Sequence, residues 1–234
     1  MTQDSSTSQP TISGIRRERE RAEMTERIMN VARDMFVRDG FEAVTLRKLA
    51  KAIEYSPGTI YQYFKDKKSL VLEIIRRDSE DLRRHLLECS QLTDPVERLI
   101  EMARRYANWG IRHPNHYRLM LAPPPAWAEQ DIELRAHERP PLEQEALFLL
   151  RLIVAEGIQN GLFKEKHTDP GLVASTLWAG IHGAIMLEIS MTPKDRELLG
   201  VENRSFEQRF DKMIEVFLDA FYRNAPSLDE YRTP

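Results

Sequence analysis

The chain contains little cysteine, and it lacks long apolar runs. One cysteine, Cys89, occurs in 234 residues. A single cysteine cannot form an internal disulfide, so we expect a protein of the reducing cytoplasm. No apolar run approaches the ~20 residues that a membrane-spanning helix needs, and the first residues show no signal-peptide pattern. We therefore predict neither a membrane segment nor a membrane partner.

Residue patterns typical of enzymes are also missing. We find no nucleophile–base pair, no paired carboxylates on one helix face and no glycine-rich phosphate loop. His113 and His116 come nearest to a metal-binding pair, but Pro114 breaks a helix between them and no nearby Cys or Asp completes a ligand set. The sequence therefore predicts no metal, no cofactor and no catalytic activity.

Strand alternation and internal repeats are absent, whereas apolar residues recur every three to four positions. Hydrophobic residues make up 41% of the chain and charged residues 30%, which is ample for a buried core and typical of a soluble protein. We predict an all-α protein with a disordered tail (1–14), a small N-terminal domain (15–68), a larger C-terminal domain (69–225) and a C-terminal tail (226–234).

Residues 45–68 carry the most specific pattern in the chain. Thr45 can cap a short helix, and Ser56 followed by Pro57 can open a second one. Glu54 and Tyr55 leave room only for a tight turn, so the segment is a predicted helix-turn-helix. The second helix offers hydroxyls, an amide and aromatic rings rather than Glu and Lys, and this composition suits a DNA groove.

This segment resembles the DNA-binding domain of TetR-family transcriptional regulators. The residues that carry the resemblance are Thr45, Leu49, Ala50, Ser56, Gly58, Thr59, Ile60, Tyr61, Tyr63, Phe64, Lys67 and Leu70. The chain departs from the family pattern at Glu54 and Tyr55, where Gly-Val is usual. A left-handed backbone is costlier for Glu than for Gly, so we expect a slightly different turn.

The resemblance implies a double-stranded DNA operator as partner and lets roles be assigned by position. Thr45, Tyr61 and Lys67 would bind phosphates, while Pro57 and Gly58 would lie at the close backbone approach. Base edges would face Arg47, Thr59, Gln62 and Tyr63. The alternatives are a solvated face for the whole set and, for Tyr61, a place in the core.

Charge is distributed unevenly along the chain. Residues 16–77 hold 15 Lys+Arg against 10 Asp+Glu, although the whole chain has a net charge of −3. A basic front suits nucleic-acid binding. Arginines are dense between Ile15 and Glu23, which reads either as a solvated extension of the first helix or as a basic arm on phosphates or in a minor groove.

Two apolar segments dominate the C-terminal half. Residues 171–190 are apolar nearly all round and should be buried on most sides, and Ser205 with Gln208 forms a capping box that opens a last helix with an aromatic seam. Residues 175–188 are similar to the His-Gly segment of one class of TetR-family C-terminal domains, which implies a homodimer formed by these two helices. The predicted dimer residues, whose alternative is core packing, are Ile181, Ile185, Phe206, Phe210, Met213 and Phe217.

The resemblance also implies an effector pocket among the C-terminal helices. Large or polar-tipped side chains that could surround it are Tyr106, Trp109, His113, His116, Tyr117, Met120, Trp127, Phe148, Trp178, His182 and Met186. Core packing is the alternative for each residue. We expect a ligand-responsive transcriptional repressor. A helical enzyme with an appended DNA-binding unit, or a non-specific DNA-binding module, is the competing interpretation.

Overall fold

The computed structural model describes residues 11–121 and 142–231. Within these ranges the chain forms ten α-helices and no strand, apart from an isolated bridge between Phe163 and Tyr222, so the all-α prediction is confirmed. The chain divides into two compact units, residues 1–74 and 75–234. The boundary predicted from the sequence, between residues 68 and 69, lies about two helical turns earlier.

The first unit is a three-helix arrangement followed by the start of a fourth helix. Its helices are α1 (Ile12–Asp39), α2 (Leu46–Ala52), α3 (Pro57–Tyr61) and the first part of α4 (Lys67–Leu87). Thr45 Oγ1 accepts the Lys48 N–H at 3.2 Å, and Ser56 Oγ accepts the Thr59 N–H at 3.2 Å. These two predicted caps fix where α2 and α3 begin.

Apolar residues of all four helices meet in the core of this unit. Its most buried members are Ile28, Met29, Ala32, Val44, Leu49, Ala50, Ile53, Ile60, Leu70, Val71 and Ile74. Phe36, on the apolar face of α1, is 5% exposed. Gly40 ends α1 with a φ of +80°, a backbone conformation that favours glycine.

Helix α1 begins earlier than the sequence suggests. Thr11 Oγ1 accepts the Gly14 N–H, so residues 12–14 are helical, and the prediction that they are disordered is wrong. The arginine-rich segment after them continues the same helix without a break. The rest of the predicted N-terminal tail lies outside the described residues.

The second unit is built from longer helices. They are the remainder of α4, α5 (Pro95–Arg112), α6 (Pro114–Leu121), α7 (Leu142–Gln159), α8 (Pro170–Ser190), α9 (Pro193–Leu198) and α10 (Phe206–Phe221). Asp94 and Asp169 cap α5 and α8, and Ser205 caps α10 as predicted. The sequence shows no apolar pattern that would predict helix α9. Its start is fixed instead by a capping box between Thr192 and Asp195.

Helix α8 packs against α5, α7 and α10. By length and composition this helix could cross a membrane, so our expectation that no segment meets that criterion is wrong. Only 28% of its most apolar window is buried inside the chain, which also contradicts the prediction of burial on most sides. One chain therefore leaves a large part of α8 uncovered.

The predicted C-terminal tail is partly ordered. Residues Leu228–Tyr231 form a 3-10 turn in which Leu228 is 4% exposed. The Tyr231 hydroxyl donates to Asp94 Oδ2 at 3.0 Å, and Arg104 Nη1 donates to the Tyr231 carbonyl at 2.9 Å. These contacts attach the end of the chain to the N-terminal part of α5.

Candidate nucleic-acid interface and ligand-binding region

The turn between α2 and α3 keeps the backbone that glycine would supply. Glu54 adopts a φ of +62°, the left-handed conformation, and the Tyr55 N–H donates to the Ala50 carbonyl at 2.9 Å. A residue with a Cβ pays on the order of 1–2 kcal/mol in this conformation. The sequence departure at Glu54 therefore introduces strain without removing the left-handed turn.

Helix α3 presents its polar and aromatic side chains outward. Ile60 is fully buried, whereas the neighbouring Tyr61 is 53% exposed, so the alternative that Tyr61 packs as core is wrong. Pro57, Gly58 and Gln62 are also exposed. An anchored inner residue with an exposed tyrosine, amide and helix start beside it is the arrangement that a groove-reading helix requires.

Two other predicted contacts of this helix are half-buried, namely Thr59 and Tyr63. The Thr59 hydroxyl lies 2.9 Å from Ser56 Oγ, within the cap of α3. Tyr63 has the Arg21 guanidinium 5.3 Å from its ring centroid. Both side chains therefore have structural contacts in addition to the base contacts we predicted.

The remaining predicted DNA contacts lie at the starts of α2 and α4. Thr45 and Arg47 are exposed in the first turn of α2. Lys67 is half-buried, because its Nζ donates to the Phe41 carbonyl at 2.8 Å and sits 3.9 Å from the Phe41 ring centroid. The structure thus brings all nine predicted residues into the first unit, with Lys67 partly engaged in holding the loop after α1.

Two arginines of α1 that we did not predict brace the helix-turn-helix. Arg21 Nη2 donates to the Gln62 carbonyl at 3.3 Å, and Arg27 Nη2 donates to the Ile53 carbonyl at 3.5 Å. Arg21 lies two helical turns before the buried Ile28 and therefore on the same face. That spacing was the signal available in the sequence.

In the second unit, four of the predicted pocket residues form one hydrogen-bonded network. The Tyr117 hydroxyl lies 2.8 Å from His182 Nδ1 and donates to the Tyr106 hydroxyl at 3.3 Å, and Trp178 Nε1 donates to the same Tyr106 oxygen at 3.3 Å. Trp178 and His182 stack with 5.3 Å between ring centroids. The network joins α5, α6 and α8.

Burial keeps this network uncharged near neutral pH. It lowers the pKa of His182 and raises the pKa of Tyr117 far above its ordinary value. Desolvation opposes the charged form of each group, which explains both directions. The His182 imidazole and the Tyr117 phenol therefore act as neutral hydrogen-bonding groups near neutral pH.

A cleft of about 290 Å³, counted with its mouth, adjoins the network. Its lining residues are Leu82, Tyr106, Met120, Leu121, Ala146, Leu147 and Trp178. None of these described residues carries a charge. Because Leu82 belongs to α4, a molecule in the cleft would touch the helix that continues from the first unit.

A second, largely apolar cleft of about 410 Å³, counted with its mouth, lies between α5, α8 and α10. It is lined by Leu99, Ile100, Ala103, Leu177, Ile181, Ile214, Phe217, Leu218, Phe221 and Tyr222. Apart from the tyrosine, no residue of this lining has a polar side-chain atom. The first cleft, with its adjacent network, is the better match to a site that must orient a ligand.

Three of the predicted pocket residues neither line the first cleft nor belong to the network, namely Trp109, His113 and His116. Trp109 Nε1 donates to Asp81 Oδ2 at 2.9 Å, and His116 Nδ1 is 3.1 Å from Asp78 Oδ1, so these two aromatic side chains tie α5 and α6 to α4. The ring centroids of His113 and His116 are 5.2 Å apart. Burial lowers the pKa of His113, and the neighbouring His116 lowers it further.

Two further members of the predicted pocket set, both among the described residues, do not line the cleft. Phe148 is 53% exposed, and Met186 packs against the core. Trp127 lies outside the described residues. Within residues 11–121 and 142–231, no group of three His, Cys, Asp or Glu side chains could hold a metal.

The predicted dimer residues are mostly core residues. Ile181, Ile185, Phe206 and Phe210 are between 0% and 9% exposed, so their assignment to a dimer surface is wrong. Helix periodicity alone does not distinguish a core stripe from an interface stripe. Met213 and Phe217 are partly exposed, and a Cβ on Gly180 would lie 2.3 Å from the Phe217 ring, so α8 and α10 approach closely there.

Uncharged residues that remain on the surface of these two helices form an outer side of α8 and α10. We call it the α8/α10 outer face, and its members are Leu172, Thr176, Ala179, Gly183, Leu187, Met213, Val216 and Ala220. Leu187 is 59% exposed and Val216 is 53% exposed. None of its members is charged, although all lie at least partly on the surface.

Comparisons with known proteins agree with this two-part organisation. Residues 28–74 match the model of bacterial regulatory proteins of the tetR family, and residues 99–217 match the model of the tetracyclin repressor-like C-terminal domain. The transcriptional regulator UidR of Escherichia coli (strain K12) is 39% identical over 54 residues, which are 23% of this chain and 28% of UidR. QacR of Staphylococcus aureus (strain Mu50) is 36% identical over 52 residues, 22% of this chain and 28% of QacR.

These curated relatives are therefore matched over little more than a quarter of their own length. Among solved structures, the TetR-family regulator PfmR of Thermus thermophilus superposes with a TM-score of 0.67 at 21% identity, covering 84% of this chain and all of PfmR. AibR, solved with isovaleryl coenzyme A and operator DNA, superposes with a TM-score of 0.67 at 18% identity, covering 82% of this chain and 96% of AibR. At identities this low, the structural similarity shows the fold alone. Because the second family model spans just over half of the chain, the protein belongs to the TetR family of bacterial regulatory proteins.

Proposed function

We propose that this chain is a cytoplasmic, homodimeric transcriptional repressor that binds an operator sequence-specifically and releases it when a small molecule binds. The observation that carries the proposal is the exposure of α3. Tyr61 is 53% exposed beside the fully buried Ile60 on a short helix opened by a serine cap and a proline. A side chain of this size and polarity exposed there is suited to contact with a duplex.

The roles on DNA follow from the chemistry of the exposed side chains. Arg47 presents the fork that suits guanine O6 and N7, and Gln62 presents an amide that suits adenine. Thr45 and Tyr61 supply hydroxyls for phosphates. Pro57 and Gly58, both exposed, permit close approach of the α3 backbone to the groove.

A second copy of the chain would provide the second recognition helix. One such helix buries little surface, whereas two held about 34–36 Å apart read half-sites in successive major grooves. The uncharged α8/α10 outer face is the surface that we assign to this contact, in place of the buried residues predicted from the sequence. Its exposed leucine and valine side chains would be removed from water in the dimer.

The effector that fits the described lining is an uncharged, largely apolar molecule. The cleft beside Tyr106 and Trp178 offers apolar walls and no charged side chain among its described residues. An anionic ligand would leave its charge unpaired there, at a cost of several kcal/mol. The adjoining network of Tyr106, Tyr117 and His182 would give such a ligand its orientation.

Release would operate through α4. This helix contributes Lys67–Ile74 to the first unit and Ile75–Leu87 to the second. A ligand that contacts Leu82 only in one of two positions of α4 shifts the equilibrium toward that position. A change of a few ångströms between the two α3 helices would then lower operator affinity, because both half-sites can no longer be occupied together.

The proposal is tested by DNA-binding measurements on the full chain. Fluorescence anisotropy with duplexes covering the DNA upstream of the gene, beside a random duplex of equal length, should give a specificity ratio of roughly 10³ or more at physiological salt. A ratio near one for every upstream duplex would contradict sequence-specific regulation and favour a non-specific DNA-binding module.

The dimer is tested by sedimentation. Leu187→Glu places a charge on the outer face without disturbing the core, because Leu187 is 59% exposed. We expect this variant to sediment as a monomer and to lose tight operator binding. Leu198→Glu is the matched control, since Leu198 is 76% exposed but lies on α9, outside the outer face. Equal behaviour of the two variants would contradict the assignment of the interface.

A further inference from the structure

The N-terminal part of α1 extends beyond the core of the first unit and carries arginines of two kinds. Arg16 pairs with Glu20 at 2.7 Å, and Arg19 pairs with Glu23 at 3.6 Å. Arg17 and Arg21 are also exposed, yet neither forms an ion pair with any residue in the described parts of the chain. Half of these arginines are therefore neutralised locally and half are not.

Arg17 and Arg21 lie on one face of the helix. They are four residues apart and therefore one turn apart along the axis, about 6 Å. Their line along the helix continues to Ser13 and Gly14 on one side and to Met24 and Thr25 on the other, without an acidic residue. Glu18 lies three residues before Arg21 and Glu20 three residues after Arg17, so both are near the line, but neither forms an ion pair with these arginines in the described parts of the chain. The arrangement leaves an unneutralised basic stripe of two arginines.

This stripe begins at the end of the recognition helix. Arg21 Nη2 donates to the Gln62 carbonyl at 3.3 Å, and its guanidinium lies 5.3 Å from the Tyr63 ring centroid. Gln62 and Tyr63 are two of the residues that we assign to DNA. Arg17 lies one turn farther along α1, toward the start of that helix.

Packing does not account for the extension. Residues 15–23 are all exposed, and Ile15, the one large apolar residue among them, is 53% exposed. A helix that buries nothing gains little from tertiary contacts. Its fixed feature is the Arg21 contact, which holds the unpaired arginines beside the DNA-reading surface.

We propose that Arg17 and Arg21 bind phosphates of the duplex just outside the segment read by α3, so that each protomer has a phosphate-binding site on α1. This inference rests on the proposed function, because it extends the same DNA-binding surface. Phosphate contacts carry no sequence information, so the site adds affinity and salt dependence without altering sequence preference.

The test compares Arg17→Ala with Arg16→Ala. Each variant removes one positive charge per chain, and both positions are exposed in the same helix, but only Arg16 has a glutamate partner. Affinity is measured by anisotropy from 50 to 300 mM salt on an upstream duplex and on a random duplex. Arg17→Ala should lower the slope of log affinity against log salt by up to about 1.8 for a dimer, since each lost phosphate contact contributes about 0.9.

The double variant Arg17→Ala/Arg21→Ala should lower the slope by up to about 3.6. Thermal unfolding of each variant separates lost phosphate contacts from a loosened fold, and Arg17→Ala alone removes no contact within the described chain. Arg16→Ala should leave the slope close to that of the unmodified protein. The lower slopes of Arg17→Ala and of the double variant should appear on both the upstream and the random duplex.

Equal slopes for the Arg17 and Arg16 variants would overturn the inference, because an effect of net charge alone would not distinguish them. A loss confined to the upstream duplex would also overturn it, since that result would indicate base reading. Failure of the proposed function is visible separately as a specificity ratio near one, and the random duplex still tests the arginine stripe in that case.

Discussion

The two units of this protein use apolar residues in different ways. In the first unit, short capped helices bury one face and expose another, so Ile60 is fully buried while Tyr61 is 53% exposed. In the second unit, the long helix α8 is apolar on nearly every side, and its apolar residues divide among the core, a cleft lining and an outer face. Periodicity therefore identifies the functional face in the first unit but not in the second.

The largest effect should come from removing a core ring of the first unit. Phe36→Ala leaves a void behind the helix-turn-helix, where Phe36 is 5% exposed, and should lower the free energy of unfolding by about 3–5 kcal/mol. Urea unfolding followed by circular dichroism measures the loss. A cost below about 1 kcal/mol would show that this unit does not depend on its small core.

A glycine pair distinguishes the inner from the outer side of α8. Gly180→Ala should destabilise the protein by about 1–3 kcal/mol, because the added Cβ would lie 2.3 Å from the Phe217 ring. Gly183→Ala should cause no clash within the protomer, because nothing lies within 4 Å of the added Cβ. Thermal unfolding of both variants makes the comparison. Equal losses would contradict the division of α8 into two faces.

The exposed face of the first unit is tested at Arg47. Arg47→Ala should weaken operator binding by about 1–3 kcal/mol and leave binding to random DNA nearly unchanged, because a base contact is lost. Lys51→Ala, which removes one charge from the exposed last turn of the same helix, is the control. Equal losses on operator and random DNA for Arg47→Ala would refute its assignment as a base reader.

The strained turn residue offers a smaller gain. Glu54→Gly should stabilise the first unit by up to about 1 kcal/mol, because glycine adopts the φ of +62° without the steric cost of a Cβ. Glu42→Gly, an exposed loop position without a positive φ, is the control and should not stabilise. Thermal midpoints of the two variants compare them. A lower midpoint for Glu54→Gly would mean that its side chain has a stabilising role.

The smallest effect that we expect concerns pH in the second unit. Burial lowers the pKa of His182, so the unfolded chain binds this proton more readily than the folded one. Stability should therefore fall as pH drops below about 6.5, the ordinary histidine value. His182→Asn should reduce this pH dependence, as measured by urea midpoints between pH 7.5 and 5.5. An unchanged pH slope would show that His182 does not titrate differently on folding.

Prediction from sequence succeeded where a local rule determines the outcome. The caps at Thr45, Ser56 and Ser205 depend on neighbouring residues and were predicted with their helices. The assignments that failed depend on distant packing. Phe206 and Phe210 form a seam that looks the same whether another helix of the chain or a second copy covers it.

The network of Tyr106, Tyr117, Trp178 and His182 shows the same limit. Each residue was recognised as a pocket candidate, but their mutual hydrogen bonds join positions up to 72 residues apart and depend on how α5, α6 and α8 meet. Phe148 carried the same sequence signal and is exposed. Residue type and spacing therefore gave a list of candidates, and packing selected among them.

Local chemistry in the chain was sufficient to predict an all-helical protein, the caps that begin α2, α3 and α10, and the helix-turn-helix. These features follow from contacts within a few residues, which a linear pattern records. The three-dimensional packing decided which apolar face of α8 is core, which aromatic side chains adjoin the cleft, and which arginines of α1 stay unpaired beside α3. Those outcomes depend on contacts between residues far apart in the chain, whose free energies no local pattern contains.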